Sequence, residues 1–164
     1  MSRRASRQEA RLRSIKWTMI VLIPKVASSA IRDAVIRSRE PEFTVVFIRH
    51  PWDRLVSALY SVIRSSRSLD ERIQQYIDAA ESAGCQLDSH LRPQVSFIDG
   101  RTIDFYGRFE YLTQDWKLLQ SRCSGLADLP SKPKSNRPRW QDAKIDWDRW
   151  YPMYRRDFEL WESI

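Results

Sequence analysis

The chain lacks the residues that mark the commonest kinds of site. It has two cysteines, Cys85 and Cys123, two histidines and four glycines in 164 residues. Two thiols with neither metal-ligand spacing nor a disulfide-rich pattern read as free cysteines in a reducing compartment. Long apolar runs are missing too. The segment WTMIVLI, Trp17 to Ile23, is about a third of the ~20 residues that a membrane-spanning helix needs, so it reads as a buried strand. The basic start SRRASRQEARLRS has no apolar core of a secretory signal behind it. There is no internal repeat and no low-complexity block.

What is present suits a packed body. Hydrophobic residues make up 42% and charged residues 30%, and seven Trp, six Tyr and six Phe exclude a disordered chain. The length fits one domain, read as residues 16–164 behind a basic, solvated tail at residues 1–15 that holds Arg3, Arg4, Arg7 and Arg11. Lys plus Arg exceed Asp plus Glu by 28 to 21, and the +7 balance points to an anionic partner without choosing among nucleic acid, lipid, nucleotide and sulfated sugar.

The pattern along the chain alternates strand and helix. Trp17 to Ile23 is a strand. Ile31, Ala34 and Val35 then recur at helical spacing, which predicts a helix from about Ser28 to Arg39. FTVVFI, Phe43 to Ile48, is a second buried strand, followed by a turn at Pro51 and a helical pattern through Leu55, Val56, Leu59, Tyr60 and Ile63. A third helix runs from Leu69 to Ala83 and ends at Gly84. Ile103 to Phe109 is a third strand, and the helix after it is stopped by Gly125. The Pro- and Ser-rich stretch LPSKPKSNRPRW is a loop. The aromatic series Trp147, Trp150, Tyr151, Tyr154, Phe158 and Trp161 makes a last helix, docked on the core and interrupted near Pro152. The order strand, helix, strand, helix predicts an α/β protein with a parallel sheet and right-handed crossovers.

Cations follow the first two strands: Lys25 after one, Arg49 after the other. In an open parallel sheet the ligand crevice lies beyond the carboxyl ends of the strands, where helix N-termini also favour anions. A P-loop NTPase would carry glycines and a Gly-Lys-Ser/Thr run here; this chain has PKVASSA, without a glycine and without an evident Asp for magnesium.

IPKVASSAI resembles the 5′-phosphosulfate loop of sulfotransferases, and FTVVFIRHPWDRLVSALYS resembles their 3′-phosphate motif. Downstream, DSHLRPQ, YGRFEYLTQDW with Glu110 and Asp115, the late Asn136 and YRRDFELW are similar in order and spacing to the carbohydrate (type 2) sulfotransferases. The resemblance runs from about Trp17 to Trp161. It implies a three-layer fold with a central parallel sheet of P-loop-NTPase-like sulfotransferase architecture. The implied donor is PAPS (3′-phosphoadenosine 5′-phosphosulfate), with no metal and an acceptor hydroxyl on a carbohydrate. Lys25, Val26, Ala27, Ser28 and Ser29 align with the phosphosulfate loop, and Arg49 and Ser57 with the pair that holds the 3′-phosphate. Two positions depart from the family pattern. Ala30 stands where many loops end in a hydroxyl, and His50 stands where many members have Asp, at a position expected to be exposed.

The chemistry agrees with these roles. Sulfuryl transfer needs in-line placement and charge stabilisation at the leaving oxygen, for which Lys25 is suited. The planar fork of Arg49 suits a phosphate. His90 is the first candidate for the base that takes the acceptor proton, against the alternative that it orients a loop or binds the acceptor. Asp88 and Glu110 follow it, Glu110 being preferred as a structural partner of Arg108. Ser28 and Ser29 also suit helix capping. Trp52 and Trp140 are candidates for stacking on adenine or acceptor, Arg54 for adding to the positive potential or forming a salt bridge, and Arg137 and Arg139 for reaching an anion. Two other classes stand beside this one: a sulfotransferase fold that binds nucleotide without turnover, and a basic nucleic-acid-binding module, which no recognition helix or aromatic RNA-binding motif supports. The absence of a targeting segment leads to the expectation of a cytoplasmic enzyme of bacterial or viral source.

Overall fold

The computed structural model describes residues 18–27, 30–31, 43–62, 68–82, 88–123, 126–130 and 138–164. They fall into two compact units, Met1–Ile48 with Gly100–Pro133, and Arg49–Asp99 with Lys134–Ile164. The fold is mixed α/β, with a three-stranded parallel sheet and four helices among the described residues.

The first unit holds the sheet. Strands β1 (Thr18–Val21), β2 (Phe43–Ile48) and β3 (Phe105–Arg108) are parallel, with β2 in the middle. All six residues of β2 are buried. A strand covered on both faces takes a continuous β-branched and aromatic run rather than alternation, which is what FTVVFI supplies. Register is set by Thr18 opposite Phe43 on one side and Val45 opposite Phe105 on the other. Asp104 extends the second pairing, since its backbone N–H donates to Thr44 O at 2.9 Å while its Oδ2 accepts from Thr44 N at 2.8 Å. Helix α1 (Pro51–Val62) belongs to the second unit, as do α2 (Leu69–Ser82) and α4 (Trp147–Ser163), and α3 (Leu112–Arg122) lies in the first. Phe47 meets Phe105 and Trp116, and Trp116 and Leu119 of α3 are buried.

The strands are shorter than the sequence predicts. β1 ends at Val21, because the chain turns through Leu22 and Ile23 into the loop that carries Lys25. β3 begins at Phe105 and stops at Arg108, where a 3-10 turn at Phe109–Tyr111 leads into α3. Of the helix expected at Ser28 to Arg39, Ala30 and Ile31 are helical and the remainder lies outside the described residues, as do the tail at 1–15, Trp17, Ile63, Ala83, Gly84, Cys85, Gly125, Asn136 and Arg137. Cys123 is buried.

The second unit packs around Trp52, Leu55, Val56 and Leu59 of α1, with Leu69 and Ile73 of α2, Leu91, Ala143, Ile145, and Trp150 and Tyr154 of α4. Pro51 opens α1 rather than sitting in a preceding turn; its fixed φ and missing N–H cost nothing at that position. A reciprocal cap starts α2, with Glu71 N donating to Ser68 Oγ and Ser68 N to Glu71 Oε2. Asp146 caps α4 through Arg149 N. That helix is not interrupted at Pro152. The proline removes the bond to the Asp148 carbonyl, but both residues are exposed, so water can take the freed acceptor. Its inner face carries the aromatic core expected of it. Among the described residues no helix is long and apolar enough to cross a membrane.

A Cβ built at Gly107 would overlap the ring of Phe47. Gly107→Ala should therefore destabilise the first unit by about 1–3 kcal/mol through overpacking of the central strand, measured by urea unfolding. An unchanged midpoint would show that Phe47 can move aside.

Candidate functional site

The loop after β1 is built to present a lysine. Ile23 and Val26 are each 1% exposed, so they bury on either side of Lys25, which stays half-exposed between them. A turn bond from Val26 N to Ile23 O at 3.3 Å closes the loop. Lys25 and Ala27 both have positive φ, 66° and 47°. The left-handed region is uncommon for residues with a side chain, and such strain persists only where surrounding contacts enforce it, often at ligand clamps. Ile31 N then donates to Ala27 O at 3.0 Å, the first helical bond. Ala30, the departure from the family's hydroxyl, is 8% exposed and takes part in the apolar packing. Ser28 and Ser29 lie outside the described residues.

In the second unit, Arg49 and Ser57 line one cavity of about 330 Å³, together with Asp53, Val56, Pro138, Arg139 and Gln141. The sequence spacing brings this about. Arg49 precedes α1, and Ser57 lies two turns inside it on a side that is buried from Leu55 to Leu59. Arg139 enters from the segment before the 3-10 turn at Trp140–Asp142 and reaches the cavity, while Arg137 lies outside the described residues. Trp140 N is 3.4 Å from Asp53 Oδ1, a long contact that ties this turn to α1. Two guanidinium groups and a hydroxyl against one carboxylate leave the cavity a net positive lining, suited to a phosphate or sulfate ester.

His50 is not exposed as expected. Its ring stacks on Trp140 at 5.3 Å and 10°, and meets the edges of Phe158 and Trp161 at 5.5 and 4.9 Å. The aromatic surface of α4 favours an imidazole over a carboxylate there. Trp52 is 5% exposed and belongs to the core, which removes it as a stacking platform, and Trp140 already carries His50 on one face.

His90 does not line the cavity. Its Nδ1 lies 2.8 Å from Asp88 Oδ1, which also accepts the His90 backbone N–H at 2.8 Å. The two residues form one pair rather than two alternative bases. A carboxylate on Nδ1–H leaves Nε2 as the proton acceptor, the arrangement a general base needs. The segment around His90 is fixed from beneath. Arg54, 1% exposed, donates to Arg92 O at 2.8 Å and Ser89 O at 3.1 Å, and Tyr154 Oη donates to Leu91 O at 2.6 Å. Arg54 is thus a buried strut holding backbone carbonyls, and its charge is felt by Arg49 in the cavity lining. Glu110 is exposed in the turn before α3, and Asp115 accepts from Arg108 N at 2.8 Å.

Two functional candidates, Gln94 at the end of DSHLRPQ and Asp157 within YRRDFELW, receive no role of their own in the sequence reading. Gln94 and Asp157 are each 1% exposed. Asp157 falls on the inner face of α4 with Trp150 and Tyr154, at helical spacing, and a carboxylate on an apolar stripe is the signal that could have found it. Gln94 has no such signal, because the partners of its side chain lie 45 residues away. No family model, curated protein or solved structure matches the chain. Among the described residues no group of three or more His, Cys, Asp or Glu could hold a metal ion.

Burial raises the Asp157 pKa above its ordinary 3.8, against the lowering effect of the Gln94 and Val95 N–H groups and of Arg54. A carboxyl group that binds its proton more tightly in the folded state contributes most below its unfolded value, and that contribution declines as pH rises towards the folded value. The stability advantage of wild type over Asp157→Asn, measured by urea unfolding at successive pH values above about 4, should shrink as pH rises. An advantage that grows with pH would show that the charge of Arg54 outweighs desolvation.

Proposed function

We propose that this chain is a sulfotransferase that moves the sulfuryl group from PAPS to an acceptor hydroxyl on a carbohydrate, within a three-layer, P-loop-NTPase-like architecture. The observation that carries the reading is the shared cavity of Arg49 and Ser57, the two residues that the family resemblance assigns to the 3′-phosphate. Arg139 adds a second guanidinium to that lining, and the residues present fit a phosphate monoester dianion.

The strained loop of Lys25 supports the other half. Lys25 follows β1 of the first unit, at the carboxyl end of a strand in a parallel sheet, where such sheets bind ligands. In the reaction the acceptor oxygen bonds to sulfur as the bond from sulfur to the 5′-phosphate oxygen breaks, and PAP (3′-phosphoadenosine 5′-phosphate) leaves. Lys25 meets the charge growing on that leaving oxygen, an interaction stronger in the transition state than before it. The Val26 N–H closes the turn on Ile23 O, and Ala27, Ser28 and Ser29, by their place in the loop, supply backbone N–H groups and two hydroxyls to the phosphosulfate. His90, held by Asp88, takes the proton from the acceptor. No metal enters the scheme.

PAP at a hundredfold excess over its Kd should stabilise the protein by about 2.7 kcal/mol, read as an upward shift in Tm. Millimolar PAP that leaves Tm unchanged overturns the assignment. Labelled PAPS offered with a panel of glycans tests turnover. PAP binding without transfer to any acceptor would make the chain a silent nucleotide binder. In an active protein, Lys25→Ala should lower kcat by about 10²–10³ while PAP binding partly survives. Equal loss of both would make Lys25 a binding residue only. Arg49→Ala should do the reverse, weakening PAP more than it slows bound donor.

A further inference from the structure

Gln94 is 1% exposed, and both polar atoms of its side-chain amide bond the backbone of Arg49. Its Oε1 accepts the Arg49 N–H at 3.0 Å, and its Nε2 donates to Arg49 O at 2.8 Å. A side-chain amide thereby gives Arg49 the pair of bonds that a neighbouring strand gives a strand residue, at the point where β2 has just ended. Gln94 is itself held from behind. Its backbone N–H donates to Asp157 Oδ2 at 2.7 Å, and the Val95 N–H to Asp157 Oδ1 at 2.9 Å. The chain of contacts runs from α4 through the 3-10 turn at Gln94–Phe97 to the backbone of a cavity-lining arginine.

A buried amide left unsatisfied is costly, so the two bonds and the residue type constrain each other. Glutamine supplies a donor and an acceptor at one side-chain end, which leucine, glutamate and lysine do not. The backbone on which Arg49 rests is therefore fixed before any ligand arrives, and an arginine on a fixed backbone has less freedom left to lose on binding.

We propose that Gln94, backed by Asp157, is a positioning residue for the anion site: it clamps the Arg49 backbone so that the guanidinium faces the phosphate of the donor without reorganising. The inference rests on the reading of Arg49 as a phosphate-binding residue. It assigns to Gln94 a part in donor affinity that is separate from its part in folding.

The test compares Gln94→Leu, Gln94→Glu and Ile73→Val, the last a core substitution in α2 at a residue that does not line the cavity. Two quantities are measured: PAP affinity by calorimetry, and hydrogen exchange of the Arg49 amide in the absence of ligand. Gln94→Leu, with its far-ultraviolet circular dichroism unchanged, should bind PAP 10- to 100-fold more weakly and exchange the Arg49 amide faster. Gln94→Glu keeps an acceptor for the Arg49 N–H but turns a carboxylate oxygen on the Arg49 carbonyl, so PAP binding should weaken at least as much as in Gln94→Leu; it also serves if the leucine variant does not fold. Ile73→Val should lower Tm yet leave PAP affinity within twofold. PAP affinity within twofold of wild type in folded Gln94→Leu overturns the proposal, as does equally fast Arg49 exchange in wild type and variant. If wild type binds no PAP, the sulfotransferase reading fails; the clamp is then judged on the exchange measurement alone, with slow exchange in wild type and fast exchange in Gln94→Leu in its favour and no difference against it.

Discussion

A carboxylate withdrawn from water must recover from the protein the hydrogen bonds it gives up, and Asp157 recovers two from consecutive backbone N–H groups, those of Gln94 and Val95. Much of the second unit follows from that contact. It joins the C-terminal helix to a turn 62 to 63 residues earlier, fixes the direction in which Gln94 points, and gives the guanidinium of Arg54 an opposite charge nearby. Arg54 in turn holds the carbonyls of Ser89 and Arg92, so the segment carrying His90 is stapled to α1 by polar bonds. The apolar core around Trp52 and Tyr154 supplies the driving force for packing. The buried polar set decides which backbone atoms meet.

The arrangement separates two jobs that charged residues perform. Arg54 and Asp157 are buried and their charges are spent on backbone and on each other, whereas Arg49 and Arg139 line an open cavity. Arginine suits both tasks because it stays protonated when buried; desolvation lowers the Arg54 pKa, and the charge of Arg49 adds to that lowering, while Tyr154 and Asp157 oppose it. The repulsion between two guanidinium groups is tolerable when one of them is balanced from within. Net positive charge in the cavity is thus sustained by a carboxylate that does not line it.

How far the sequence discloses this depends on the range of each signal. β2 is readable because six consecutive β-branched and aromatic residues leave few alternatives to a doubly covered strand, and α2 because Leu69, Ile73, Tyr76, Ile77 and Ala80 recur at helical spacing. The pairing of Arg49 with Ser57 is readable for the same reason: a strand end and two helical turns fix their spacing. His50 defeats the sequence reading because its neighbours Phe158 and Trp161 come from the far end of the chain. Pro152 misleads because a helix breaker is judged by what it removes, and here the freed carbonyl faces solvent. Arg139 is visible as a charge in a loop, but its direction depends on a turn tied to α1.

The left-handed backbone at Lys25 and Ala27 carries a different lesson. Many phosphate loops reach such angles with glycine, which adopts them freely and leaves them as freely. Residues with side chains explore fewer conformations when the chain is unfolded and move less when the loop is formed. A lysine carried on such a loop has much of its freedom removed during folding, so the entropic cost of holding it in place falls on the stability of the native state and not on each encounter with a ligand.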